Sequence, residues 1–264
     1  MDAATFTPHF DIPEQYAPDA VHPVRVRSRP MGVATVFGFH QHPWAQVAYT
    51  SEGVMRIEVD DTTWIVPPSR AIWIPAYVVH NAQVIEPAYL RTLYVDVSVI
   101  PPNLSECRVI EVSPLLRELI VALDVDDDTL SASREQSIVQ LILDEIVRSE
   151  SLPLGVPLPA DKRLRALCEA IIANPKAGDS LEQLALDVGA SVRTISRLFR
   201  NELGSSFSEW RQQAVLAHAI PLLSQGQSLS QVASELGYTS QSAFTAMFRR
   251  AFGKSPREFF KETA

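Results

Sequence analysis

The last third of the chain carries one pattern written twice. Leu181, Leu184, Ala185, Val188 and Gly189 recur 48 residues later as Leu229, Val232, Ala233, Leu236 and Gly237. One extra residue, Thr239, shifts the offset to 49. Ile195, Leu198, Phe199, Arg200, Leu203 and Gly204 then recur as Phe244, Met247, Phe248, Arg249, Phe252 and Gly253. Each copy reads as a short amphipathic helix, a glycine turn and a second helix that brings Arg to its surface. That is a helix-turn-helix, which lays its second helix in the DNA major groove. Two copies constrain this part of the chain to an all-helical domain that reads two successive groove segments.

The charge distribution agrees. The net charge of -8 over 264 residues is unevenly spread: residues 1–159 hold 10 Lys+Arg against 21 Asp+Glu, and residues 160–264 hold 13 against 10. The basic excess lies with the repeated pattern, where phosphate contacts are needed, and the acidic half is not expected to touch DNA. No basic start followed by an apolar run marks a signal peptide. No run approaches about 18 apolar residues, so no membrane span is expected. Cys107 and Cys168 have no partner spacing and read as buried or incidental thiols. The expectation is a cytoplasmic protein without membrane partners.

The period of the apolar residues divides the chain. Between 22 and 100, short alternating runs such as Val24/Val26, Val47/Tyr49, Ile57/Val59, Ile72/Ile74 and Leu93/Val95/Val97 are punctuated by Ser51-Glu52-Gly53, Asp60-Asp61 and Pro67-Pro68. Many short strands at this spacing predict a barrel or sandwich. From Pro114 the period becomes helical. Leu115, Leu116, Leu119, Ile120 and Leu123 fit one helix. Ile138, Leu141, Ile142 and Ile146 fit a second that begins near Ser131 or Ser133. Ser151–Pro159 holds three prolines in nine residues and no helical period, the composition of a linker. The expected fold is α+β with two domains: a β-barrel with trailing helices over 1–150, a linker over 151–160, and an all-α domain over 161–264. Its two helix-turn-helix units fall at about 181–203 and 229–252.

In the first unit Ser180 is the expected N-cap, with Gln183 placed for a capping box, and Ser191 caps the second helix. With Ile195, Leu198, Phe199 and Leu203 inward, Arg193, Thr194, Ser196, Arg197 and Arg200 face out. Arg193 and Arg197 suit guanine O6 and N7, and Arg200, a turn further on, suits phosphate. In the second unit Ser228 and Ser240 cap. Gln241, Ser242, Thr245 and Ala246 are the exposed set, Gln241 suited to adenine and Ala246 to a thymine methyl. Arg249, Arg250 and Lys254 are candidate phosphate contacts. Ser206–Gln225, with helical apolar spacing, must join the units.

The stretch SLSQVASELGYTSQSAFTAMFRRAFGKSPREFF is similar to the signature of the AraC/XylS family of bacterial transcription regulators. SLEQLALDVGASVRTISRLFRNELG resembles the first helix-turn-helix of the same domain. The resemblance covers about 100 residues. It implies two recognition helices held by a linking helix, with Arg193, Ser196 and Arg197 matching base-facing sites in the first and Gln241, Ser242 and Thr245 in the second. Two departures lie in the linking helix: Val215 stands where the family usually has a basic residue, and Pro221 interrupts it.

The N-terminal half bears on the signal. His40, His42 and Gln46 at i, i+2 and i+6 are expected on one face of one strand, with His80 on a later strand. GFHQHPWAQVAYTSEG and PPSRAIWIPAYVVH resemble the two cupin motifs, with Gln46 where Glu is usual and Ser69 near the place of a Gly. Cupins are small barrels that bind a metal or small molecule inside, and AraC-family regulators often carry one as the effector domain. GVMRIEVDDTTWIVPPSRAIWIP further resembles the branch that includes a regulator of a nitroimidazole exporter. The residues His40, His42, Gln46 and His80 suit a divalent Zn²⁺, Ni²⁺ or Fe²⁺; the alternative is a set of histidines hydrogen-bonded inside a barrel without metal. Trp44, Gln46, Trp73 and Tyr77 are candidate effector contacts. The helix over 133–148 is expected to dimerise the chain, or else to pack on its own barrel. The expected function is transcription regulation by double-stranded DNA binding under a small-molecule or metal signal, with RNA polymerase and a second copy of the chain as further partners, and no catalysis. The alternatives are a cupin metalloenzyme fused to a DNA-binding domain, and an architectural DNA-binding protein whose barrel only dimerises.

Overall fold

The computed structural model describes residues 12–33, 35–124, 130–173 and 180–261. They fall into two compact units. One runs up to Asp60 and over Val66–Leu152, and the other takes Asp61–Ile65 and the chain from Pro153 on.

The strands of the first unit are β1 (Val24–Met31), β2 (Val36–His40), β3 (Ala45–Thr50) and β4 (Met55–Val59). After β5 (Thr62–Val66) come β6 (Arg70–Ile74), β7 (His80–Val84), β8 (Ala88–Val95) and β9 (Arg108–Glu111). Two helices follow, α1 (Pro114–Leu123) and α2 (Ala132–Arg148), and then β10 (Ser151–Leu152). The larger sheet has the order β1-β8-β3-β6-β9-β10. A second sheet carries β4, β7 and β2 side by side, all antiparallel.

Both faces of the larger sheet are covered. Val24, Val47, Tyr49, Trp73, Leu93, Val95 and Ile110 lie on one face and form a single core with Leu116 and Ile120 of α1 and Ile138, Val139, Ile142 and Ile146 of α2. By the period of two, Gln46, Ala48, Thr50, Ile72, Ile74, Leu90, Thr92 and Tyr94 lie on the other, where Met55, Ile57, Ala82 and Val84 of the second sheet are also buried.

Ser113 caps α1, accepting from the Leu116 N–H, and of the two starts expected for α2 it is Ser131 that caps, accepting from the Arg134 N–H. The apolar stripe of α2, expected to dimerise the chain, packs instead on its own barrel. Ile142 is wholly buried, while Leu141 is 46% exposed. The two residues do not share an outward face.

In the second unit β11 (Gly155–Pro157) pairs with β5, so the proline-rich stretch expected as linker carries strand structure: Gly155 lies opposite Trp64 and Pro157 opposite Thr62. The helices are α3 (Lys162–Ala173), α4 (Leu181–Asp187), α5 (Val192–Leu203), α6 (Phe207–Ser224), α7 (Leu229–Glu235), α8 (Gln241–Phe252) and α9 (Pro256–Lys261). The first helix-turn-helix, α4–α5, packs Leu184, Ile195 and Phe199 against α3 and against Trp210 and Ala214 of α6. In the second, α7–α8, Phe244 and Phe248 meet, and Phe248 also meets Phe252 and Phe259 at ring separations of 4.6 and 5.4 Å. Helix α6 runs through Pro221, which sits in its last turn.

Ile142→Ala should lower unfolding free energy by about 2–4 kcal/mol, the cost of a buried cavity. Leu141→Ala should cost about 1 kcal/mol or less. Urea unfolding followed by circular dichroism measures both. Equal losses would contradict the packing of α2 on the barrel.

Candidate functional site

The histidine cluster is assembled by a bulge. Strand β2 pairs Phe37 with Ala82, then His40 with His80, one residue more than regular pairing allows. The extra residue lets Phe37 and His40, three apart, both turn inward, while Phe39 is 43% exposed. The chain leaves β2 at His40, passes His42 in the connection, and enters β3 before Gln46. His40, His42 and Gln46 are therefore not on one strand as expected, yet their side chains converge. His40, His42 and His80 are all buried, and their candidate ligand nitrogens lie within 4.8 Å of one another.

Backbone carbonyls orient all three rings. His40 Nδ1 lies 2.7 Å from the Gly38 oxygen, His42 Nδ1 2.7 Å from that of Trp44, and His80 Nδ1 2.9 Å from that of Val78. A carbonyl only accepts, so each Nδ1 carries the hydrogen and each Nε2 keeps a lone pair. Burial lowers the pKa of all three rings, that of His80 to about 3, with the neighbouring His40 adding to the effect. His80 Nε2 is buried without a hydrogen-bond partner. The Gln46 amide oxygen lies 2.9 Å from His42 Nε2, which sets two lone pairs face to face. That contact is favourable only when the amide turns its NH₂ to the ring or both atoms would serve as ligands of one cation. Three imidazole nitrogens, each oriented through Nδ1, and an amide oxygen fit the donor preferences of Zn²⁺, Ni²⁺ or Fe²⁺.

A cavity of about 20 Å³ lies against this cluster, lined by His40, Gln46, His80, Arg29, Thr92 and Tyr94 among others. Trp44 belongs here, its ring stacked on His42 at 5.5 Å and edge-on to Tyr94 at 6.1 Å. Trp73 and Tyr77 do not. Trp73 lies on the helix-covered face of the sheet and donates its indole N–H to the Leu104 oxygen at 3.0 Å. Tyr77 holds the His42 connection through its backbone N–H, while its side chain is 64% exposed. Ser69, at the place of a motif glycine, adopts φ +58°, the left-handed region that favours glycine. Arg29 and Tyr94 were missed by the sequence reading, although the alternation VRVRSR over β1 puts Arg29 on the inner face.

The residues expected to face DNA are positioned by caps and glycine turns. Gly189 and Gly237 take φ +66° and +75° at equivalent places, so each first helix stops within reach of the next cap. Ser191 accepts from the Thr194 N–H and Ser240 from the Ala243 N–H. Ser180 caps α4, but the Gln183 side chain bonds Asp187 rather than closing the expected box. The boxes form instead at Ser206/Glu209 and Ser228/Gln231. Arg193, Arg197, Arg200, Gln241, Ser242, Ala246, Arg249 and Arg250 are exposed, and Thr194, Ser196 and Thr245 are half-buried. Val215 is buried, consistent with its loss of the family's basic residue.

Residues 22–152 match the model of the AraC-like ligand binding domain, and residues 163–262 match that of a helix-turn-helix domain. The chain is 33% identical to the HTH-type transcriptional regulator NimR of Escherichia coli (strain K12) over 221 residues, which are 83% of this chain and 81% of the relative. The chain belongs to the AraC family of transcription regulators. It is also 31% identical to the arabinose operon regulatory protein of the same organism, over 42% of this chain and 39% of that one. A crystal structure of ToxT from Vibrio cholerae aligns with 91% of this chain and 98% of its own at 10% identity and a TM-score of 0.39. The β-rich unit is thus the ligand-binding domain and the helical unit the DNA-binding domain. The family is one of transcription regulators, which sets the metalloenzyme reading aside. Among the described residues no helix is long and apolar enough to cross a membrane.

Trp73→Phe should cost about 1–2 kcal/mol through the orphaned Leu104 carbonyl and leave any ligand response of the domain unchanged. Thermal unfolding with and without ligand checks both. A lost response at intact stability would return Trp73 to the binding set.

Proposed function

We propose that this AraC-family regulator senses through a divalent cation, Zn²⁺, Ni²⁺ or Fe²⁺, held by His40, His42, His80 and Gln46, with a small-molecule effector beside it. The observation that carries the reading is the convergence of three buried imidazoles, each tied through Nδ1 to a backbone carbonyl. Such a cation would supply a positive charge with open coordination positions. Trp44, Gln46 and Tyr94 are the protein groups placed to contact the effector. A ligand changes DNA binding only if it favours one arrangement of the chain over another.

On the DNA side, Arg193, Thr194, Ser196 and Arg197 read bases in one groove segment and Gln241, Ser242, Thr245 and Ala246 in the next. Arg200, Arg249 and Arg250 meet phosphates. The partners are operator DNA, a small-molecule effector, RNA polymerase and a second copy of the chain, all in the cytoplasm. Exposed Leu115, Val121 and Leu141 on α1 and α2 support the second copy, in place of the buried stripe.

Elemental analysis of full-length protein purified without an affinity tag should show close to one divalent metal per chain, lost in His42→Ala and in His80→Ala. Metal-free protein whose effector response survives both substitutions would end the sensing role of the cluster. Arg197→Ala should relax preference at one base position by about 1–3 kcal/mol. Arg200→Ala should weaken all sequences alike and reduce the slope of log affinity against log salt by about 0.9. Site selection and salt titration of the full chain separate the two roles, and an unchanged preference in Arg197→Ala would remove it from the base-reading set.

A further inference from the structure

We infer that the interior of the ligand-binding domain takes a small organic carboxylate, gripped by Arg27 and Arg29. This deepens the effector reading above by naming the chemical class of the effector, and it does not require the metal. Antiparallel register with β8 sets Arg27 opposite Thr92 and Arg29 opposite Leu90. Thr92 and Leu90 lie on the interior face of the sheet, so both guanidinium groups start from that face, two residues and about 6.6 Å apart along the strand.

Interior position alone is unremarkable for arginine when a carboxylate answers it. Here none does. Arg27 Nη1 is buried without a hydrogen-bond partner, and its guanidinium lies 5.2 Å from the centre of the Tyr16 ring. Arg29 lines the cavity and lies 5.0 Å from the centre of the Phe37 ring. Among the described residues, no Asp or Glu forms an ion pair with Arg27 or Arg29. Burial, and then the charge of Arg27, hold the Arg29 pKa below its ordinary value, so the pair is under like-charge strain. A second buried donor, Trp44 Nε1, also lacks an acceptor. Arg27 also bonds the Tyr94 hydroxyl, yet its Nη1 and Trp44 Nε1 stay without an acceptor, which is a demand for an acceptor-rich anion.

The chemistry narrows the anion. A guanidinium presents two parallel N–H groups that match the two oxygens of a carboxylate. Phe37, Met55, Ala82 and Leu90 line the same cavity and suit the hydrocarbon part of an organic acid better than a bare inorganic anion. The free space of about 20 Å³ admits only a small headgroup without rearrangement, so acetate is the probe.

The test is thermal unfolding and calorimetric titration of the full chain, stripped of metal with EDTA, against sodium acetate. Sodium chloride at equal ionic strength, acetamide and inorganic phosphate are the comparisons. Acetate should raise the melting temperature saturably, and acetamide and chloride should not. Arg29→Gln should weaken acetate binding at least tenfold while the unliganded protein melts no lower than wild type, because a like charge has been removed. Arg27→Gln should behave alike, and Arg29→Lys should retain part of the binding. Acetate acting no differently from chloride or acetamide, phosphate binding more tightly than acetate, or Arg29→Gln binding acetate as wild type does would each overturn the inference. The two readings fail separately. Acetate binding in a protein that never holds metal removes only the cation, and stoichiometric metal in a protein indifferent to acetate removes only the carboxylate.

Discussion

The six-stranded sheet of the ligand-binding domain is buried on both faces, and the rest of that domain follows from this constraint. A strand alternates its side chains, so each strand must supply two different surfaces. On one surface Val47, Tyr49, Trp73, Leu93 and Val95 meet the trailing helices. On the other, Gln46, Thr50, Thr92 and Tyr94 bring polar groups in among buried Ala48, Ile72, Ile74 and Leu90. Burying polar side chains is unfavourable unless something satisfies them. That asymmetry distinguishes the two faces of a single sheet, and the cavity is lined from the face that carries the polar groups.

The DNA-binding domain rests on a different economy. Its short helices cannot hold themselves together by propensity. Each of α4, α5, α6, α7 and α8 begins on a serine whose hydroxyl accepts a backbone N–H three residues on. Their inner stripes are aromatic, with Phe199, Phe207 and Trp210 in one unit and Phe244, Phe248, Phe252 and Phe259 in the other. None of Arg193, Arg197, Arg200, Arg249 and Arg250 takes part in an ion pair among the described residues, and all five are exposed, with Arg200 and Arg249 near enough to Glu209 and Glu258 to help hold those carboxyl groups low.

Much of this was legible in the sequence because it is periodic. The two helix-turn-helix units, their caps and the barrel's alternation all repeat at fixed spacing. What escaped depended on departures from period. The extra residue in β2 places His40 inward beside Phe37, and nothing in GFHQH announces a bulge. Trp73 and Tyr77 follow one motif closely enough to suggest one pocket, but alternation sends Trp73 to the helix side and a positive φ at Tyr77 sends its ring to solvent. Gln183 has the spacing of a capping box, yet Asp187 one turn on competes for its amide. The α2 stripe looked available to a partner because a sequence does not show that the sheet's own outer face requires cover.

The second unit is not continuous along the chain. Residues 61–65 belong with it, although the strands on either side of them in sequence lie in the other unit. Trp210 of α6 donates its indole N–H to the Pro157 oxygen at 2.7 Å, Leu158 donates its backbone N–H to the Asp61 oxygen, and Arg165 pairs with the Asp61 carboxylate. A DNA-binding fragment cut at Ala160, where the helices begin, would leave a buried indole N–H without an acceptor and Arg165 without that partner. Beginning at Pro153 would restore the first and not the second. The boundary that sequence composition draws and the boundary that these hydrogen bonds and the ion pair draw are therefore different lines.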